Sequence, residues 1–334
     1  MCAKSMKPGA INALGTILDV RKGKKVLVIT DDAKLPIGKA FMEGAEELGA
    51  ETQLYTLPHA RPIKEVPLEL VKLVDSHQGK AQDVIFINAF SGIGAETPMR
   101  ISLIQREIAT GARVGHAPGI DESMMTEGPM NVDYRAVAVD ARKLMKKFKG
   151  AATVHITSPS GTDITLNIEG REFETDVEIR NGSMGNLPAG EIWCAPVEDG
   201  ANGVIFTDGS IGDIGAVKKP LKLTVVKGKL EKVSGGTPAL MKKLKTLLAV
   251  DANARVIGEL GIGLNPGARI TGNLLEDEKA GRTAHIAFGN NTEMPSGKND
   301  SLTHRDFLFH RPNIEVTFTN GKKVTLITDG NVVP

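Results

Sequence analysis

Two rhythms of apolar and polar residues divide this chain near residue 150. Before it, runs such as Val26-Leu27-Val28-Ile29 and Val84-Ile85-Phe86-Ile87 are continuously apolar, as expected of strands buried on both faces. They predict strands over 24–30, 52–56, 83–88 and 112–116. Apolar residues recur at helical spacing over 37–48, where Gly49 stops them, and over 67–74 and 98–110. A short helix is predicted over 11–18 and further helices up to Lys149. Strands alternating with helices of these lengths predict an α/β domain with a parallel, doubly wound sheet over 1–150. The run Lys146-Lys147-Phe148-Lys149-Gly150 suits a helix end, with cations in the last turn and glycine beyond it. It marks the domain boundary.

After Gly150 the period falls to two. Residues 152–157 and 162–168 alternate on either side of the turn signal Ser158-Pro159-Ser160-Gly161, which predicts a hairpin. Further strands are predicted over 204–207, 221–226, 229–233, 256–260, 283–288, 314–319 and 323–327, with one amphipathic helix over 238–249. Residues 181–193 read as a loop. The second domain, 151–334, is therefore expected to be β-rich (α+β), its mostly antiparallel strands forming a curved sheet or open barrel.

Composition narrows the function. The formal charge of the 334 residues is +1 and aromatic residues make up 4%, so neither a basic nucleic-acid surface nor a stacking platform is indicated. No apolar run is long enough to span a bilayer. The first residues lack the apolar core of a signal peptide. Cys2 and Cys194 cannot build a disulfide framework. Together these predict a cytoplasmic protein with no nucleic-acid or membrane partner. Ligands of open parallel sheets bind at the carboxyl ends of the strands, where Asp31, Asp32, His59, Ser91 and His116 fall. Capping of loops and helices is the favoured reading for each. The loop Ser91-Gly92-Ile93-Gly94 lacks a full G-x-G-x-x-G, and no phosphate-binding G-x-x-x-x-G-K-[ST] occurs.

The chemistry gathers in 255–306. Glu259 interrupts Val256-Ile257-Gly258-Glu259-Leu260-Gly261-Ile262-Gly263-Leu264-Asn265-Pro266. His285 sits in Thr283-Ala284-His285-Ile286-Ala287-Phe288-Gly289, where an apolar residue is expected. His304 and Asp306 stand two apart in Thr303-His304-Arg305-Asp306-Phe307. On a strand that spacing turns both to one face, so that both reach one ion, while Phe307 and Phe309 share the other. Glu191 lies close to Trp193, the only tryptophan. A buried carboxylate is costly unless paired or bound to metal, so these five suggest ligands converging on an ion. Burial as ion pairs with Arg255, Arg269 or Arg282, or plain surface exposure, would explain any one of them equally, and for the five as a set residue types alone favour those explanations over a metal site. The acidic run Glu276-Asp277-Glu278 is expected to be a solvated loop.

These residues, with Gly161-Thr162-Asp163, Asn186-Leu187-Pro188-Ala189-Gly190-Glu191 and Asp277-Glu278-Lys279-Ala280-Gly281-Arg282, resemble the thermophilic aminopeptidases, the metallopeptidase family of aminopeptidases T and S. The resemblance spans most of the second half; the first half matches only in architecture. It implies a homodimer and a two-metal site with ligands Glu191, Glu259, His285, His304 and Asp306. The divalent ions, zinc, cobalt or manganese, would activate a water for removal of N-terminal residues from peptides. Glu191 could instead act as general base. The chain departs from the family pattern in two ways. It is shorter, trimmed between His285 and His304, and it lacks the family's tyrosine soon after His285, reading Gly289-Asn290-Asn291-Thr292-Glu293 there. The alternative comes from the related 2,5-dihydroxypyridine dioxygenases. In that reading His285, His304 and Asp306 form the two-histidine, one-carboxylate set of a single Fe(II). A binding protein on a degenerate peptidase scaffold is a third reading, weakened by the complete ligand set.

Overall fold

The computed structural model describes residues 4–79 and 83–333; Cys2 lies outside them. The chain divides into two compact units. The first comprises Met1–Ala138, Asp176–Gly190 and Pro266–Ala268, the second Val139–Thr175, Glu191–Asn265 and Arg269–Pro334. Among the described residues, no helix is long and apolar enough to cross a membrane.

The first unit carries a parallel sheet in the order Glu51–Thr56, Lys25–Thr30, Val84–Ala89, Arg113–His116, Met184–Asn186. Its inner strands Lys25–Thr30 and Val84–Ala89 are the continuously apolar runs of the sequence, and they are buried almost throughout. Helices cover both faces. On one, Leu70 and Val74 of helix Leu68–Asp75 and Leu103 of helix Thr97–Ala109 pack on Ile29 and Phe86. On the other, helix Leu35–Glu47 approaches so closely that a Cβ on Gly38 would lie 2.8 Å from that of Thr30. The fifth strand comes from the segment expected to be a loop. At three residues it is too short for any periodicity to register.

The second unit contains two antiparallel sheets, and the expectation of one curved sheet or open barrel is corrected on that point. The larger sheet runs Lys229–Gly235, Leu221–Val226, Ala201–Thr207, Asp163–Asn167, Ala151–Thr157, Asn313–Phe318, Lys323–Thr328, Asn331–Val332. The predicted hairpin is there, with Thr153 opposite Asn167 and Thr157 opposite Asp163. Its strands alternate between buried and accessible positions, so one face is covered and the other wet. The smaller sheet runs Gly215–Ala216, Ser210–Ile211, His304–His310, Thr283–Gly289, Ile257–Gly263, Glu191–Cys194, Glu174–Thr175. Strands Ile257–Gly263 and Thr283–Gly289 are buried at every position. That difference in burial separates the two sheets: runs apolar on both faces form the interior sheet, and alternating strands form the outer one.

Candidate metal centre

The five candidate ligands lie on four consecutive strands of the interior sheet: Glu191–Cys194, Ile257–Gly263, Thr283–Gly289 and His304–His310. Residues opposite one another in an antiparallel pair point to the same face, so the register shows what stands beside each ligand candidate. Glu191 is opposite Gly263, His285 opposite Gly261, and His304 opposite Gly289; Glu259 and Asp306 are both opposite Ala287. Each large polar side chain therefore faces a glycine or an alanine. The clearest case is Gly261, where a Cβ would lie 1.9 Å from His285 Nε2. The strand carries glycine there because the imidazole fills that space. As predicted, His304 and Asp306 share one face of their strand, with Phe307 and Phe309 buried on the other.

Four of the five side chains close on one another. His285 Nε2 is 3.2 Å from Glu259 Oε1, and His304 Nε2 is 2.9 Å from Glu259 Oε2 and 3.5 Å from Asp306 Oδ1. Donor atoms of Glu259, His285 and Asp306 lie within 4.8 Å of one another, all three residues being buried. Glu191 reaches the group at its edge, its Oε2 3.6 Å from His285 Nε2. Burial works against charge at Glu259, His285 and Asp306, while His304 keeps about a third of its side chain accessible (32%), and the opposite charges outweigh the burial. His285 and His304 hold the Glu259 carboxyl below its usual range, and His304 does the same for Asp306. In turn Glu259, Glu191 and Asp306 raise the His285 imidazole to about 9, and Asp306 and Glu259 lift that of His304 well above its ordinary value.

The residues fit a divalent ion. Carboxylates and imidazoles are suitable donors for zinc, cobalt, manganese or iron, and the cluster draws positive charge strongly. His304 is set for the task by its backbone neighbour. Its Nδ1 lies 2.7 Å from the carbonyl oxygen of Asn290. A carbonyl only accepts, so Nδ1 carries the proton and Nε2 faces the carboxylates, the outer-shell arrangement that orients metal-binding histidines.

The arginines weighed as partners for these carboxylates are engaged elsewhere. Arg255 donates to the Leu248 carbonyl, Arg269 to Glu276 and Arg282 to Asp329. The cation at the cluster is instead Lys279, fully buried, its Nζ 2.6 Å from Glu191 Oε1 and also in contact with Glu278. The expected solvated loop 276–278 is corrected as well. Glu276 and Asp277 are fully buried in the short helix Leu274–Asp277 and its exit. Glu276 accepts from Arg269, and Asp277 accepts from the backbone N–H groups of Thr271 and Gly272 and from the Thr271 hydroxyl. Every carboxylate in the run has its own donors, which lets an acidic run be buried.

In the first unit, Asp31 caps the turn at Lys34 and accepts from Arg61 and the Ser91 N–H. Asp32 meets His59. His116 is buried, and burial pushes its imidazole down to about 3. Asp31 is thus a capping and ion-pairing residue, as favoured. Sequence reasoning missed Lys279, Gly261 and the role of Asn290. Only the first left a signal, as a lysine set beside the run of acids.

The model of one family, described as thermophilic metalloprotease (M29), matches residues 132–332. Aminopeptidase AmpS of Bacillus subtilis (strain 168) is 24% identical over 196 residues, 51% of this chain and 47% of that protein. The match thus spans about half the length of that curated relative. Among solved structures, 2,5-dihydroxypyridine dioxygenase of Pseudomonas putida KT2440 superposes with a TM-score of 0.72 at 19% identity, over 98% of this chain and 96% of that one. Wild-type AmpT from Thermus thermophilus gives 0.72 at 16% identity, over 99% of both chains. At such identities the two likenesses speak for the fold. The matched stretch contains every candidate ligand, and the chain belongs to the thermophilic metalloprotease (M29) family.

Proposed function

We propose that the protein is a metal-dependent aminopeptidase, removing N-terminal residues from peptides at the cluster of Glu259, His285, His304 and Asp306 with Glu191 at its edge. The observation that carries this reading is the buried convergence of Glu259, His285 and Asp306 donors inside the stretch matched by a metalloprotease family. A divalent ion held there would acidify a water and polarise the scissile carbonyl. Glu259 and Asp306 supply the negative charge that binds the ion, and the two imidazoles complete its surroundings. The Asn290 carbonyl fixes the ring of His304. Glu191, oriented by Lys279 at 2.6 Å, takes the proton that the attacking water loses. If all five side chains are ligands, two ions are held; if Glu191 stays with Lys279, one is. Cytoplasmic location and pairing into a homodimer go with this reading.

A second reading has the observation that both histidines and Asp306 lie on one face of neighbouring strands. That is the donor set of a single Fe(II) in a ring-cleaving dioxygenase. Elemental analysis of protein purified without chelators, followed by assays on amino-acid arylamides, separates the two. Zinc, cobalt or manganese with arylamide hydrolysis that chelation abolishes and the ion restores is the expected result. A single iron, with turnover of dihydroxylated aromatics and none of arylamides, would replace the aminopeptidase by the dioxygenase. Protein that takes up no divalent ion would refute both.

A further inference from the structure

Lys279 is the one feature of the centre that metal binding does not explain. Lysine is almost never fully buried unless it is paired, and here the whole side chain is inaccessible. Its backbone is pinned on both sides. Lys279 N–H donates to the Glu276 carbonyl at 3.1 Å, and the Lys279 carbonyl accepts from Asn265 N–H at 2.9 Å. The chain on either side is held by Ala280 N–H to Asp277 O and Gly281 N–H to Asn265 O. The turn thus aims the side chain inward, with the ammonium between Glu191 and Glu278. Glu191 is buried and Glu278 partly so, and neither belongs to the Glu259, His285 and Asp306 cluster.

An ion ligated by Glu191 would stand about 2.0–2.2 Å from its carboxylate oxygen. The ammonium already stands 2.6 Å from that carboxylate. Two cations on one carboxyl group, out of water, repel strongly because little solvent screens them. We propose that Lys279 is the resident second cation of this centre. It takes on Glu191 and Glu278 the place a second metal ion would need, so that the centre binds one divalent ion, on Glu259, His285, His304 and Asp306. This rests on the metal-dependent reading above, and it makes Lys279 a positioning residue that fixes Glu191 beside the ion.

The test is the number of ions per chain, measured on the full-length protein after saturation with Zn(II) and, separately, Mn(II), removal of excess ion and elemental analysis. Wild type is expected to hold one ion. Lys279→Met keeps an unbranched side chain one atom shorter and removes its charge, and is expected to hold two, while Lys279→Arg keeps the charge and stays at one. Two ions on wild type, or one on a folded Lys279→Met, would overturn the proposal. Should Lys279→Met not fold, Glu191→Gln decides. With Glu191 committed to Lys279, the variant keeps one ion and its Kd changes less than threefold; loss of the ion, or a Kd weakened tenfold or more, overturns the proposal. The aminopeptidase reading fails separately, by absence of arylamide hydrolysis from protein that holds its ion, and the stoichiometry still decides the role of Lys279. Protein that binds no ion overturns both.

Discussion

Gly261→Ala tests the centre through its scaffold, with every ligand candidate left intact. Gly261 does not have a positive φ, so alanine is conformationally acceptable, and in an ordinary strand the change would gain about 0.5–1 kcal/mol. Here the new Cβ would lie 1.9, 2.2 and 2.6 Å from Nε2, Cε1 and Cδ2 of His285. Non-bonded heavy atoms sit about 3.5–4.0 Å apart at optimum, so the overlap is about 1.5 Å or more. The ring is buried between two strands that are inaccessible along their whole length. It cannot swing into solvent, and either it or the strand must shift. Overpacking of this kind costs about 1–3 kcal/mol. The cost to ion binding is greater, because ligand distances hold within about 0.2 Å and Nε2 would be driven off by several times that. The expected result is a folded protein with a lowered Tm and a Kd for Zn(II) or Mn(II) weakened at least about 100-fold, read by titration and thermal unfolding. In the double variant Gly261→Ala/His285→Ala the clash is gone, and the two stability changes should be non-additive by about 0.5–3 kcal/mol. Wild-type ion affinity in Gly261→Ala would refute the pairing of Gly261 with His285 and the cluster built on it.

Two further predictions concern buried carboxyl groups. Glu107, fully buried in helix Thr97–Ala109 beside Asn88 Nδ2 at 2.8 Å, has its carboxyl pushed up by burial from 4.5 to about 8. The folded state prefers the protonated form, so the stability this group contributes is complete below pH 4.5 and is lost as pH rises through about 8. At about 1.36 kcal/mol per unit, Glu107→Gln should be near-neutral at pH 4.5 and stabilising by a few kcal/mol at pH 8.5. A Tm difference that stays flat over that range would contradict this. Asp277→Ala strands the N–H groups of Thr271 and Gly272 and should cost about 2–3 kcal/mol, the worth of hydrogen bonds to a charged group; a loss under 0.5 kcal/mol in denaturant unfolding would refute the capping role.

The parallel sheet was legible because its inner strands are apolar on both faces. No surface residue in Val26-Leu27-Val28-Ile29 leaves room for another interpretation, and the intervening helices have their own period. The antiparallel half was legible strand by strand but not sheet by sheet. Alternation shows that a strand has one wet face; it does not say that residues 313–318 pair with 151–157, since that pairing joins the two ends of the unit. Met184–Asn186 escaped for another reason. A three-residue strand held between Arg113–His116 and a loop has no pattern of its own, and its place is set by its neighbours.

At the centre, the interruption of apolar runs by Glu259, His285 and the His304, Asp306 pair pointed to side chains that the fold brings together, because a large polar group in a buried strand needs a reason to be there. What residue types do not convey is which charges satisfy each other. Charge density alone made 276–278 a solvated loop; the backbone turn at Thr271 and Gly272 provides donors that only the fold brings into range. The turn after helix Leu274–Asp277, closed by Lys279 N–H to Glu276 O and Ala280 N–H to Asp277 O, carries Lys279 from that acidic run into the centre. Had the chain one residue more or fewer between Asp277 and Ala280, the ammonium would not face Glu191, and the balance of charge among Glu191, Glu259 and Asp306 would call for a different cation. The small residues opposite the ligand candidates carry the complementary information. Gly261 looks like loop punctuation in the sequence, yet in register it leaves the space that the His285 ring fills, whereas the space beside Gly263 and Gly289 is taken by the backbone of Ala280 and Thr303. A site of this kind is written in pairs, a large polar residue on one strand and a missing side chain on the next, and each half gains its meaning only when strand pairing is known.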